Sequence, residues 1–186
     1  RIMARKCTVK PIGKSDAEAF LNTNHIQGFV NSSIYLGAYY NNSLVAVMSF
    51  IKESNNNWNL TRFASDNNYV CCGIGGKLFK YFTRNYTFNI VKSFADKRWT
   101  FDTKKNIYLE LGFRQEKNMM PEYRYIKKGE KIRHHKFGFR KHLLSKRYGL
   151  DIKLTETEMT KELGYDRIWD CGLIKYVYVN PNYSEQ

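Results

Sequence analysis

Three glycines in four positions, Gly73, Gly75 and Gly76, stand immediately before the helical apolar spacing of Leu78, Phe79 and Phe82. Such a loop lets the backbone N–H groups of the glycines, Ile74 and Lys77 approach a pyrophosphate, while the following helix turns its positive N-terminal end toward it. The same residues also serve as a tight turn between a strand and a helix, and a lone glycine cluster leaves both readings open. Other side chains have chemistry to offer. Asp96 closes an apolar run, NIVKSFAD, where a carboxylate suits contact with a substrate amine or the work of a base; pairing with Lys97 or Arg98, or capping the next turn, is equally open. A neutral imidazole at His25 can take a proton from an amine, bind a metal, or do no more than hydrogen-bond. Arg62 in LTRF can clamp a phosphate, and Trp99 can stack on a base or simply cover the core.

The charge balance points to a polyanionic partner. The 186 residues carry 31 Lys and Arg against 17 Asp and Glu, a net charge of +14, and an excess of that size favours nucleic acid. Between Lys127 and Arg147 nine cations (Lys127, Lys128, Lys131, Arg133, Lys136, Arg140, Lys141, Lys146 and Arg147) face one acid, Glu130. The block is interleaved with His134, His135, His142, Phe137 and Phe139, which suits a surface that tracks phosphates and releases counterions. A solvated basic helix is the plain alternative.

The length fits one domain, or one with an appendage, and 42% hydrophobic residues are enough for a core. No apolar run reaches the eighteen residues of a transmembrane helix, and RIMARKC is no signal peptide. Cys7, Cys71, Cys72 and Cys171 show no CxxC spacing, so buried or bystander thiols in a reducing cytoplasm are expected, with no metal site. The chain begins with Arg, as a processed product or a piece of something longer would.

The elements that must position these side chains follow from periodicity and turn chemistry. Residues 4 to 12 read as a strand, and Ser15 as the cap of a helix through Phe20 and Leu21. IYLGAYY and LVAVMSFI form a hairpin across Asn41-Asn42, and WNLTRFA follows the Asn55 to Asn57 turn. The glycine loop, a helix over about 75 to 84, the strand NIVKSFAD and a short helix in NIYLELGF stopped by Gly112 come next. RQEK and YRYIKK read as a hairpin. KIRHHKFGFRKHLLSKR reads as a helix broken near Gly138, TETEMTKELG as a helix with a Thr155–Glu158 capping box, and RIWD with LIKYVYV as a closing hairpin. The order predicts an α/β (α+β) fold: a mixed, mostly antiparallel sheet with helices on both faces, plus a basic helical extension.

This order, with CGIGGKLFKYF and IYLELGF, resembles the GNAT acyltransferase superfamily over about residues 4 to 127, with 128 to 186 as the extension. The resemblance implies an acyl-CoA loop at Gly73, Ile74, Gly75, Gly76 and Lys77. Where the family has Arg or Gln this chain has Val70, and Lys77 offers the nearest replacement charge. It also implies that Tyr108 protonates the departing thiolate of CoA and that His25 lies in one wall of the acceptor site.

Taken together, NHIQG, LTRF, the glycine loop, SFADKRW, IYLELGF, FRKHLL and GYDRIWDCG resemble a bacteriophage-encoded GNAT-like domain. That domain accompanies homing endonucleases and is distantly similar to Mom DNA-modification proteins, which alter adenine amino groups. By that likeness His25, Asp96 and Tyr108 are the catalytic side chains. Two functions are expected from it. One is transfer of an acyl or related group, from acetyl-CoA or another donor, to an amino group on a DNA base. The other is an inactive DNA-targeting domain serving a linked or separate nuclease. In either case Arg133, Lys136, Arg140, Lys141, Lys146, Arg147, Arg62 and Trp99 are the nucleic-acid contacts.

Overall fold

The computed structural model describes residues 1–100 and 104–183. In chain order the elements are β1 (Ile2–Met3), β2 (Thr8–Pro11), α1 (Lys14–Asn24), β3 (Ile34–Tyr40), β4 (Ser43–Lys52), β5 (Trp58–Ser65), β6 (Cys71–Cys72), α2 (Ile74–Asn85), β7 (Ile90–Asp96), α3 (Ile107–Glu110) and β8 (Arg114–Asn118). They continue with β9 (Tyr123–Lys127), β10 (His134–His135), α4 (Lys141–Tyr148), α5 (Glu156–Glu162), β11 (Tyr165–Trp169) and β12 (Leu173–Val179). The chain divides into two compact units, 1–118 with 174–186, and 119–173.

The first unit is built on a seven-stranded sheet ordered β2-β3-β4-β5-β7-β12-β8. Its hairpins form where asparagine tolerates left-handed backbone: Asn41 and Asn42 have φ of 49° and 63°, Asn55 and Asn56 of 55° and 53°. The helices cover opposite faces. α1 buries Ala17, Phe20 and Leu21 against Tyr35, Val47 and Ala64. On the other face, α2 seats Leu78, Phe79 and Phe82 on Leu36, Met48 and Phe50. The Phe82 ring stacks 4.0 Å from that of Phe50. In β7 the buried side chains alternate as Val91, Ser93 and Ala95, the period of a strand with one face against the core.

The second unit has a three-stranded sheet ordered β10-β9-β11. Tyr125, Phe139, Leu144 and Met159 form its own core. The capping box is present: Glu158 N–H donates to Thr155 Oγ1 at 3.2 Å and Thr155 N–H to Glu158 Oε2 at 2.7 Å.

Several expectations are corrected. The boundary falls at 118/119 and 173/174 instead of 127/128, because β12 returns to the first sheet between β7 and β8. Both late hairpins dissolve for the same reason: β8 pairs with β12, while β9 pairs with β10 and β11. Residues 4 to 6 form a 3₁₀ turn before β2, and α1 starts after Gly13 instead of Ser15. The basic segment is a two-residue strand, a 3₁₀ turn and α4, since Arg140 is extended at φ −63° and ψ 140° and separates the turn from the helix.

Candidate active site

β5 and β7 run parallel but pair only from Trp58–Val91 to Leu60–Ser93. Beyond that point the β7-facing edge of residues 61 to 65 has no strand partner among the described residues, although β5 stays paired with β4 up to Ser65. A bulge between Ser49 and Phe50 leaves Thr61 out of register at the same level, and bulges re-aim backbone groups in this way beside functional sites. The diverging strands open a wedge. A cavity of about 220 Å³ fills it, lined by His25, Arg62, Ser93, Asp96, Trp99 and Tyr108 among others.

Tyr108 sits at the vertex. Asn106 caps α3 by accepting from the N–H groups of Tyr108 and Leu109 at 3.1 and 3.2 Å, and its amide donates to the Tyr176 hydroxyl at 3.0 Å. The Tyr108 ring stacks on Tyr176 with centroids 4.6 Å apart and planes 8° from parallel. Its hydroxyl lies within reach of Ser93, the last residue of β7 that pairs with β5. Ser93 Oγ in turn donates to the Leu60 carbonyl at 2.9 Å. Burial raises the Tyr108 phenol above its ordinary range, with Ser93 opposing the rise. The group therefore stays protonated, as a proton donor must.

His25 is the C-cap of α1, its N–H on the Leu21 carbonyl at 2.9 Å. Burial, and then the charge of Arg62, bring its imidazole down to about 4, so the ring is neutral at pH 7. Nδ1 accepts from Gln27 N–H at 3.0 Å, which assigns the ring proton to Nε2. The expected proton acceptor is thus, in this tautomer, a hydrogen-bond donor.

Arg62 is partly buried, with Nε on the Gly28 carbonyl at 2.9 Å and Nη1 on that of Thr61 at 2.8 Å. Asp96 makes one of the local contacts expected of it. One oxygen caps the following turn, accepting from Arg98 N–H at 2.8 Å, and the residue also lines the cavity. Trp99, 58% exposed, lines the cavity. Ser93 was not singled out from sequence. Its signal was a lone hydroxyl at an inward position of NIVKSFAD, between Val91 and Ala95.

At the glycine loop, Gly73 is the N-cap of α2 with φ 73°, a left-handed conformation that favours glycine. Among the described residues, the N–H groups of Ile74, Gly75 and Gly76 have no protein acceptor, while Lys77 N–H donates to the Gly73 carbonyl at 3.2 Å. A Cβ on Gly75 would come within 3.1 Å of Ile107 and 3.2 Å of Phe63, both of which line the cavity. A Cβ on Gly76 would meet nothing within 4 Å. Open backbone amides beside an unpaired strand edge fit the pyrophosphate and the amide-bearing arm of CoA. Lys77 does not supply the charge missing at Val70, because its Nζ donates to the carbonyls of Ala4, at 2.9 Å, and Cys7.

The expected nucleic-acid contacts are divided between the two units. Arg62 and Trp99 line the cavity of the first unit. Arg133, Lys136, Arg140, Lys141, Lys146 and Arg147 belong to the second. There Lys136 pairs with Glu122 at 3.1 Å, Arg140 lies over the exposed Phe137 ring at 4.7 Å, and Lys146 and Arg147 end α4.

No protein-family profile and no curated protein sequence matches the chain. Solved structures do. A GNAT family acetyltransferase from Elizabethkingia anophelis with acetyl-CoA bound is similar at a TM-score of 0.53 and 15% identity, covering 94% of this chain and 99% of its own. An IAA acetyltransferase from Bacillus cereus reaches 0.56 at 14% identity, with 94% and 99% covered. A putative acetyltransferase from Salmonella typhimurium with acetyl-CoA reaches 0.55 at 11%, with 97% of each chain covered. The chain has the GNAT acetyltransferase fold: a mixed, mostly antiparallel sheet with helices on both faces. No helix among the described residues is long and apolar enough to cross a membrane.

Proposed function

We propose that this protein is an N-acyltransferase that uses an acyl-CoA donor. The observation that carries the reading is the position of Tyr108, which lines the cavity together with Ser93 at the vertex of the β5–β7 wedge. Residues 73 to 76 would hold the donor's phosphates, and the free edge of residues 61 to 65 its amide-bearing arm. Bound acyl-CoA supplies an acyl group activated as a thioester. Tyr108 holds a proton at the vertex, and Ser93 fixes where that hydroxyl points. Asp96 accepts a hydrogen bond from the incoming amine, and His25 donates through Nε2. The reading is tested by calorimetry with acetyl-CoA and CoA, and by CoA release across a panel of amines. Absence of both binding and release refutes it.

Within that reading the acceptor is an amino group on a DNA base, as in the phage-encoded and Mom-type proteins the sequence resembles. The net charge of +14, the cations of the second unit and the exposed Trp99 support it. A base inside a duplex is out of reach, so the substrate is a flipped or single-stranded one. Mass spectrometry of nucleosides from DNA treated with protein and acetyl-CoA tests this, and an unaltered nucleoside profile refutes it. One observation favours the non-catalytic, DNA-targeting alternative: with Val70 at the loop and Lys77 engaged elsewhere, neither supplies a cation to CoA phosphates. DNA binding without CoA binding is the outcome that selects it.

A further inference from the structure

We propose that Arg62 forms an oxyanion subsite in the wedge cavity, so that the molecule bound there carries a carboxylate or phosphate beside its amine. The name acceptor rests on the acyltransferase reading; the anion subsite does not.

The argument starts from the guanidinium. Two of its five N–H donors are held by the carbonyls of Gly28 and Thr61, one on the loop after α1 and one on its own strand. This grip fixes the plane of the group and leaves three donors, including both on Nη2, uncommitted. No Asp or Glu among the described residues lies within ion-pair distance of it. A partly buried cation without a counter-anion is costly, and a fixed guanidinium edge matches the two oxygens of a carboxylate or phosphate.

The rest of the cavity agrees. Among the described lining residues Asp96 is the one acid and Arg62 the one Arg or Lys, and the two do not pair with each other. A lining with separate positive and negative corners complements a small molecule that bears an amine at one end and an oxyanion at the other. The volume, about 220 Å³, is below the usual range for drug-sized ligands and suits a fragment of that size. The uncompensated charge also acts on its neighbour, since Arg62 helps hold His25 in its neutral form.

That coupling supplies a readout independent of turnover. An anion seated on Arg62 offsets its charge, so the His25 pKa rises from about 4, and reciprocally protonated His25 favours the bound anion. The experiment follows the His25 ring by NMR in the full chain while inorganic phosphate, methyl phosphate, acetate or glycine is added, with chloride at equal ionic strength as control. Saturating oxyanion is expected to raise the His25 pKa by at least half a unit, chloride to leave it unchanged. Arg62→Gln should weaken oxyanion binding at least tenfold, and Arg62→Lys, which keeps charge without the fork, by less.

Preference for methyl phosphate assigns a nucleotide-like source; preference for acetate or glycine assigns a carboxylate-bearing amine. If no oxyanion moves His25, or folded Arg62→Gln binds oxyanions as well as the parent, the subsite is refuted. Oxyanion binding without acyl transfer would leave the subsite standing and remove the acyltransferase reading. Undiminished transfer by Arg62→Gln to an amine that carries a carboxylate or phosphate would do the reverse.

Discussion

Tyr108→Phe removes one oxygen and leaves the packing in place. The Phe ring keeps the stack on Tyr176, 4.6 Å between centroids, and the edge contact with Phe113 at 6.3 Å. Ser93 Oγ retains its bond to the Leu60 carbonyl at 2.9 Å, so the substitution strands no buried donor. What is lost in the folded state is at most one hydroxyl hydrogen bond, a net of about 0.5–1.5 kcal/mol. For a chain of this length that lowers Tm by roughly 2–5 °C. Catalysis should fall far more. Loss of a positioned general acid reduces the rate by about 10²–10⁴-fold, or about 2.7–5.5 kcal/mol in activation free energy. The assay measures CoA release at saturating acetyl-CoA and amine, with acetyl-CoA affinity by calorimetry alongside. The expected result is a fall in kcat with affinity for acetyl-CoA within about threefold of the parent. A variant that folds, binds acetyl-CoA and turns over within threefold of the parent would show that Tyr108 is a packing residue, and the reasoning from the wedge vertex would fail.

Three further outcomes are expected. Gly76→Ala should stabilise α2 by about 0.5–1 kcal/mol, since its Cβ would meet nothing within 4 Å, yet weaken CoA binding at least tenfold; equal affinity would dismiss the loop as a phosphate cradle. His25 is held near 4 against an ordinary 6.5, so the unfolded chain binds more protons between those values and stability is lost as pH falls from 6.5 toward 4. His25→Asn, which keeps an acceptor for Gln27, should flatten that acid limb by about 1–2 kcal/mol once partial exposure is allowed for, and an unchanged limb in urea titrations would contradict the assignment. In the second unit, Glu156 accepts from the hydroxyls of Tyr123 at 3.1 Å and Tyr125 at 2.5 Å and faces Arg167 at 3.6 Å. Glu156→Ala should therefore cost about 2–3 kcal/mol, seen as faster hydrogen exchange confined to residues 119–173, and exchange spread over both units would argue against a separate core.

Local chemistry made much of the first unit legible. Asparagine pairs marked both early turns, the Leu78, Phe79 and Phe82 spacing marked α2, and the glycines marked its N-terminus, because each of these is decided within a few residues. The chemical identities of Tyr108, Asp96 and His25 were equally plain in the sequence. Their use was not. Which nitrogen of His25 carries the proton depends on a bond to Gln27, and Lys77 looked available until its ammonium was seen on the carbonyls of Ala4 and Cys7. RQEK and YRYIKK read as a hairpin because pairing of neighbours is the default, and only the return of β12 separates them into two sheets. The same long-range pairing decides the site. Splaying of β5 from β7 after Leu60 and Ser93 is a property of strands some thirty residues apart, and it opens the one small cavity that Tyr108, Arg62 and Asp96 share. Residue types set what chemistry the chain can do; contacts distant in sequence determine which of those groups meet.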